Sequence, residues 1–367
     1  MDLSRLIRDE VHPLVPYAPG MRASEVRDRS GAAEVSKLSS NENPYGPVPS
    51  AIAAMQAVLP RLNRYPDGAC RSLRAKLAAH LGVSERLIAI GNGSNELLRI
   101  LAEATLRPGD EVVFAWPSFI VYPMVTQLMG ATSVRVPLAK GDVTDLEAMA
   151  DAITARTRIV FLCNPNNPTG THFTRSELDE FLSRVPEHVL VVLDEAYFEY
   201  VTDPDYPDGM TLADGDRPLA VLRTFSKIYS LAGLRVGYGV MPAALVEAVN
   251  KVRDPFNVNT VAQVAAYFSL DKTEEIARRR AVNATERDRL CGALGRLGIT
   301  HAASQTNFVW VHLDQPTKTF EALLSSGIIV RDFGAAGALR IGIGEPADTD
   351  KTIAALDRLF GTGGSSS

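Results

Sequence analysis

The sequence predicts an α/β protein: a mainly parallel sheet of seven strands with helices on both faces, joined to a smaller α+β domain. Three observations carry this. Near-continuous apolar runs recur at residues 87–90, 111–115, 133–136, 158–163, 189–193, 219–222 and 236–241, and strands buried on both faces read this way, whereas strands with one wet face alternate. Helical patterns separate most of these runs, as crossover connections require. The 367 residues also exceed what one hydrophobic core ordinarily serves,.

Taken in order, the arm from Val11 to Gly20 is rich in proline and glycine and is expected to be extended,. A second turn-rich segment, Ser40-Asn41-Glu42-Asn43-Pro44-Tyr45-Gly46-Pro47, precedes a helix at 51–59 that Ser50 is expected to cap,. Arg64-Tyr65-Pro66-Asp67 reads as a turn, and Leu73, Leu77 and Leu81 give the next helix its apolar stripe,. Gly91-Asn92-Gly93-Ser94-Asn95-Glu96 then joins the first strand to a helix whose opening N–H groups could hold an anion or simply be capped,. Thr174 and Glu177 form a capping box for a helix at 174–185,. Beyond residue 255, strands are expected at 306–312, 328–330 and 339–343, with helices at 272–297 and 346–360. The expected division is a large domain at 48–254, a small domain made of 1–47 with 255–360, and a linker-like Gly/Ser tail at 361–367,.

Composition narrows the function. A net charge of −5 argues against nucleic acid or anionic membrane as partner, since both are bound by clustered cations,. No apolar run approaches the length of a membrane span, and no secretory leader is evident, so a cytoplasmic location is expected,. The three cysteines, Cys70, Cys163 and Cys291, are too scattered for a disulfide framework or a metal site, and no metal is expected,.

The chemistry is expected at the carboxyl ends of the strands, where an open α/β sheet places its ligands. Asn164-Pro165-Asn166-Asn167 follows one strand, Asp194-Glu195-Ala196-Tyr197 ends another, and Thr224-Phe225-Ser226-Lys227 ends a third. Apolar neighbours desolvate Lys227 and favour its neutral, nucleophilic amine. Thr224, Ser226 and Arg235 suit a phosphate. Asp194, at the end of an apolar strand, needs a cationic or donor partner, which a protonated pyridine nitrogen would be. Lysine, phosphate grip and carboxylate together suggest pyridoxal phosphate.

Seven motifs in order sharpen this: 40–47, 64–67, 91–96, 164–170, Asp194 to Tyr197, Thr224 to Lys227 with Arg235, and Leu339-Arg340-Ile341. Over residues 10–360 the chain resembles a fold-type I pyridoxal-phosphate aminotransferase, most closely the histidinol-phosphate aminotransferase group, with the actinobacterial aromatic aminotransferases close by. The resemblance implies that Lys227 bonds the cofactor's aldehyde carbon, that Asp194 pairs with the ring nitrogen, and that Asn167 and Tyr197 bond the ring oxygen. It implies that Phe119 stacks on the ring, and that Gly93, Ser94, Asn95, Thr224, Ser226, Arg235 and, from a second subunit, Tyr65 hold the phosphate. A homodimer follows. Family members often carry Tyr at the position of Phe119 and a smaller residue at that of Ile228.

For substrate, the resemblance singles out Arg340 as the carboxylate-binding arginine, with Asn43 and Asn307 as further candidates. A phosphate dianion is better held by two guanidiniums, and Arg331 with Arg340, helped by Tyr17, could supply them. The expected reaction is transamination between histidinol phosphate and 2-oxoglutarate or glutamate. An aromatic amino acid, walled by Phe119, Tyr122 and the arm, is the alternative, and a threonine-phosphate decarboxylase is a more distant one. A dinucleotide oxidoreductase is excluded, because the loop at 91–96 lacks the third glycine of that fingerprint,.

Overall fold

A computed structural model describes residues 3–17, 20–30, 34–213 and 217–361. Most of the expected tail, residues 362–367, lies outside them. The described strands are β1 Ser36–Lys37, β2 Ile88–Gly91, β3 Glu111–Trp116, β4 Thr132–Pro137, β5 Thr157–Cys163, β6 Leu190–Asp194, β7 Leu219–Thr224, β8 Gly237–Val240, β9 Phe308–His312, β10 Ile328–Ile329, β11 Arg331–Phe333 and β12 Ala338–Gly342.

Seven of them form one sheet in the order β2-β8-β7-β6-β5-β3-β4. Only β8 runs against its neighbours. Alternate residues of a strand enter opposite cores: Val191 and Leu193 pack in one apolar cluster, Leu190 and Val192 in the other. That two-sided burial is why these strands read as continuous apolar runs. Register then fixes what sits at the strand ends. Cys163 of β5 pairs with Asp194 of β6, and Asp194 with Leu222 of β7. The segments that follow, 164–170, 195–197 and 225–227, therefore emerge side by side.

A smaller antiparallel sheet, β11-β12-β9, builds a second core from Val309, Val311, Leu339 and Ile341, closed by Leu290, Leu294, Leu323 and Leu356 from three helices. β1 pairs in parallel with β10 and ties the N-terminal part of the chain to this domain.

Three expectations change. The helix expected to be capped by Ser50 runs Pro49–Val58, with Val48 at the cap and proline in its first turn. The Ser50 hydroxyl instead donates to the Phe268 carbonyl. The expected boundary at 254/255 falls before the large core ends, since Val258, Ala262, Ala265, Ala266 and Leu270 all belong to that core. Alanines on one face let the helix Thr260–Ser269 approach Pro49–Val58 closely,. The crossing happens along the helix Thr273–Arg296, with Ile276 in the large core and Leu290 and Leu294 in the small one. A helix at Ala23–Ser30 was not expected from sequence; Val26 anchors it against Leu324 and Ile329. The capping box of Thr174 and Glu177 is present as expected.

Candidate active site

The turn after β7 supplies most of the polar groups. The Ser226 N–H donates to Thr224 Oγ1, whose hydroxyl donates to Ser226 Oγ, so both side chains are fixed in one small cup. Arg235 reaches the same place in a left-handed backbone conformation, with Nη1 donating to Ser226 Oγ at 3.4 Å and to the Ala232 carbonyl. The N-terminus of the helix Ser94–Thr105 forms the opposite wall. Gly93, just before it, has φ +86, and a Cβ there would lie 2.6 Å from Arg235 Nη2. The glycine is thus required both by conformation and by the guanidinium passing over it. Hydroxyls, a guanidinium and a helix N-terminus together make an anion cup.

This cup is one end of a cavity of about 310 Å³ whose wall includes Ser94, Asn95, Thr224, Ser226 and Arg235, and also Lys227, Asp194, Tyr197, Asn167, Phe119, Tyr17 and Arg340. Lys227 is partly exposed there. Burial lowers its amine to about 8, with Arg340 and Arg235 acting in the same direction and Glu42 and Asp194 against it. Asp194 accepts a hydrogen bond from the Tyr122 hydroxyl on Oδ2 at 3.0 Å, while Oδ1 is buried without a partner among the described residues. Burial pushes this carboxyl up to about 6, opposed by Tyr122, the Ala196 N–H and Lys227. A buried carboxylate oxygen left open in this way calls for a donor.

Tyr197 is buried, and its hydroxyl accepts from Asn41 Nδ2 at 2.9 Å. Arg340 enters from β12, donating to Asn167 Oδ1 and to the Ser39 carbonyl, both at 2.7 Å. Its guanidinium lies over the rings of Phe308 and Phe333. Burial lowers the Arg340 pKa to about 10, which leaves it charged at neutral pH.

Several expected site residues fall outside this wall. Gly93 contributes space rather than a contact. Asn43 donates to the Tyr200 hydroxyl and the Ile228 carbonyl and faces a neighbouring cavity. Asn307 donates to the carbonyls of Asn41 and Glu42, so it pins the segment that covers the site. Tyr122, expected as an apolar wall, is fully buried behind Asp194. Tyr65 is 82% exposed and stacked on Phe256, away from its own cavity. Arg331 is not on the wall itself but sits opposite Arg340 in register and over the ring of Tyr17 at 5.5 Å. Conversely, Ser40, Asn41, Glu42 and Cys163 do line the cavity. Asn41 had a signal in the sequence: it lies in a turn-rich segment, and it adopts a left-handed conformation that asparagine tolerates,.

A model of the family described as aminotransferase class I and II matches residues 33–356. The chain belongs to that family. Among curated relatives, it is 45% identical to a histidinol-phosphate aminotransferase of Moorella thermoacetica, over 96% of this chain and 92% of the relative. It is 50% identical to an aromatic amino acid aminotransferase of Thermobifida fusca, over 94% of each. Among solved structures, the histidinol-phosphate aminotransferase of Sinorhizobium meliloti in complex with pyridoxal-5'-phosphate superposes with a TM-score of 0.87 at 27% identity, covering 96% of this chain and 97% of that one. As a class I and II aminotransferase the protein uses pyridoxal phosphate, and its residues fit that cofactor. The open Oδ1 of Asp194 suits a protonated ring nitrogen, the anion cup suits a phosphate, and Lys227 lines the same cavity.

Proposed function

We propose that this aminotransferase moves the amino group of histidinol phosphate to 2-oxoglutarate, as a cytoplasmic homodimer. Lys227 would bond the cofactor's aldehyde carbon with loss of water, Asp194 would hold the ring nitrogen, Asn167 and Tyr197 the ring oxygen, and Phe119 one ring face. Ser94, Asn95, Thr224, Ser226 and Arg235 hold the phosphate, joined by Tyr65 of the partner subunit. The bound cofactor supplies an electron sink for the charge left when a proton leaves the substrate's Cα. Asp194 keeps its carboxylate ionised against the ring nitrogen, which sustains that sink. Lys227 would serve as the base that takes the proton from the substrate's Cα onto Nζ and as the acid that gives it up again in the same transfer. An amine lowered to about 8 by burial is suited to both halves of that transfer near neutral pH,.

The observation that carries the substrate reading is the cross-strand pair Arg331 and Arg340, with Tyr17 beneath Arg331. Residues in direct register lie on one face of a sheet, so Arg331 stands on the same face as Arg340, behind the Tyr17 ring that lines the cavity. A carboxylate needs one of the two guanidiniums; a phosphate dianion uses both. The curated relative from Moorella thermoacetica supports the same reading.

The second reading, an aromatic amino acid as donor, is favoured by the 50% identical relative and by Phe119 and Tyr17 on the cavity wall. The test is kcat/KM for histidinol phosphate against phenylalanine, with 2-oxoglutarate as acceptor. A higher value for histidinol phosphate is expected; a higher value for phenylalanine establishes the second reading instead.

A further inference from the structure

Tyr122 has no part in the roles above, yet it is among the largest fully buried side chains of the protein. It lies in the first turn of the helix Val121–Leu128, and its ring is clamped. Phe161 of β5 stacks flat against it at 4.7 Å and 10°, and Phe119 meets it edge-on at 5.7 Å and 88°. Its hydroxyl donates to Asp194 Oδ2 at 3.0 Å. Burial, then the charge of Asp194, raises the phenol well above its ordinary range, so it stays a donor. The neighbouring Cys163 thiol, pushed up to about 12 chiefly by burial, is neutral and does not compete as an anion.

We infer that Tyr122 is a positioning residue that divides the work of the Asp194 carboxylate, holding Oδ2 through its hydroxyl so that Oδ1 remains for the cofactor's ring nitrogen. The inference rests on the assignment of Asp194 proposed above. A carboxylate turns readily about its last torsion, and apolar walls alone would not choose between its oxygens. A phenol fixed by two aromatic neighbours does. The same ring buttresses Phe119, so one buried side chain sets both the carboxylate at the ring nitrogen and the aromatic expected against the ring face.

A buried aromatic with a merely structural part would weaken every ligand alike when altered. The experiment separates the two. The apoprotein and its Tyr122→Phe variant are titrated with pyridoxal phosphate and with an analogue carrying CH in place of the ring nitrogen, from neutral pH down through the acid range. The expected outcome has three parts: the parent prefers pyridoxal phosphate over the analogue; Tyr122→Phe binds pyridoxal phosphate about tenfold or more weakly, as loss of a hydrogen bond to a charged group predicts; and its affinity for the analogue is unchanged. The fall of cofactor affinity on acidification should also move to higher pH in the variant, because a carboxylate without its donor takes up a proton sooner. Unchanged affinity for pyridoxal phosphate in Tyr122→Phe, or an equal loss for both ligands, overturns the inference about Tyr122 while leaving Asp194 in place. A parent that binds both ligands equally overturns the assignment of Asp194 and this inference with it.

Discussion

Arg331 and Arg340 stand opposite one another across the antiparallel pair β11 and β12, in direct register. Only Arg340 reaches the cavity wall, where it bonds Asn167 and the Ser39 carbonyl. The two arginines should therefore separate substrates. Arg331→Ala is expected to reduce kcat/KM for histidinol phosphate by about tenfold to a hundredfold, the scale of a lost charge-assisted contact, and to leave glutamate turnover nearly unchanged. Arg340→Ala should impair both. Equal losses for both substrates in Arg331→Ala would remove the phosphate-clamp reading.

The buried amine of Lys227 costs the cofactor-free protein stability. Its pKa falls from 10.5 to about 8 on folding, so the unfolded chain binds the extra proton. The cost is fully present below pH 8 and disappears as pH rises through 10.5,. Lys227→Met in the cofactor-free protein is expected to gain roughly 2–3 kcal/mol at neutral pH, shrinking toward alkaline pH. Urea unfolding across that range measures it; a gain independent of pH would contradict the burial argument.

Arg223 and Glu195 form a buried ion pair at 2.8 Å that joins the ends of β7 and β6, with Arg223 also lying over the ring of Phe198 at 3.3 Å. Burial already pushes the Glu195 carboxyl up to about 7 against the pull of Arg223. Removing the arginine leaves that carboxylate with no cationic partner among the described residues and only the Gly209 N–H on Oε1, at a cost of about 3–5 kcal/mol,. With the Glu195 carboxyl already at about 7 in the parent, the variant differs in proton binding only above that pH, so the deficit of Arg223→Ala should be smallest and constant in acid and grow as pH rises through 7,. Chemical denaturation at several pH values checks both size and trend.

Tyr65, exposed and stacked on Phe256 at 4.6 Å, lies away from its own cavity. If it serves the partner's phosphate, mixing a Lys227→Ala protein with a Tyr65→Phe protein should restore one complete site per heterodimer. Activity above that of either parent is expected, with an interface of roughly 2,000 Å² or more. No gain on mixing would place Tyr65 outside the shared site.

What the sequence disclosed and what it withheld divide along physical lines. The strands of the large sheet were legible because two-sided burial writes itself as unbroken apolar runs, and register then brought Asp194, Tyr197 and Lys227 together as the strand ends implied. Tyr122 was misread as a pocket wall, because an aromatic in an apolar stretch gives no sign of which way its hydroxyl points. Asn43 and Asn307 read as substrate contacts in the sequence, yet both Nδ2 groups are spent on backbone carbonyls or a buried phenol. Such long-range pairings have no local pattern. The domain boundary slipped for a similar reason: the alanine face of Thr260–Ser269 suits packing on either core, and only the fold decides.

Every proposed role in the cavity turns on Lys227 being the residue that bonds the cofactor. Borohydride reduction of the cofactor-loaded protein, followed by proteolysis and mass mapping, tests this directly. One reduced pyridoxyl group per chain on Lys227, absent from Lys227→Ala, is the predicted result. A label on Lys140 or Lys251, or no label at all, would contradict it.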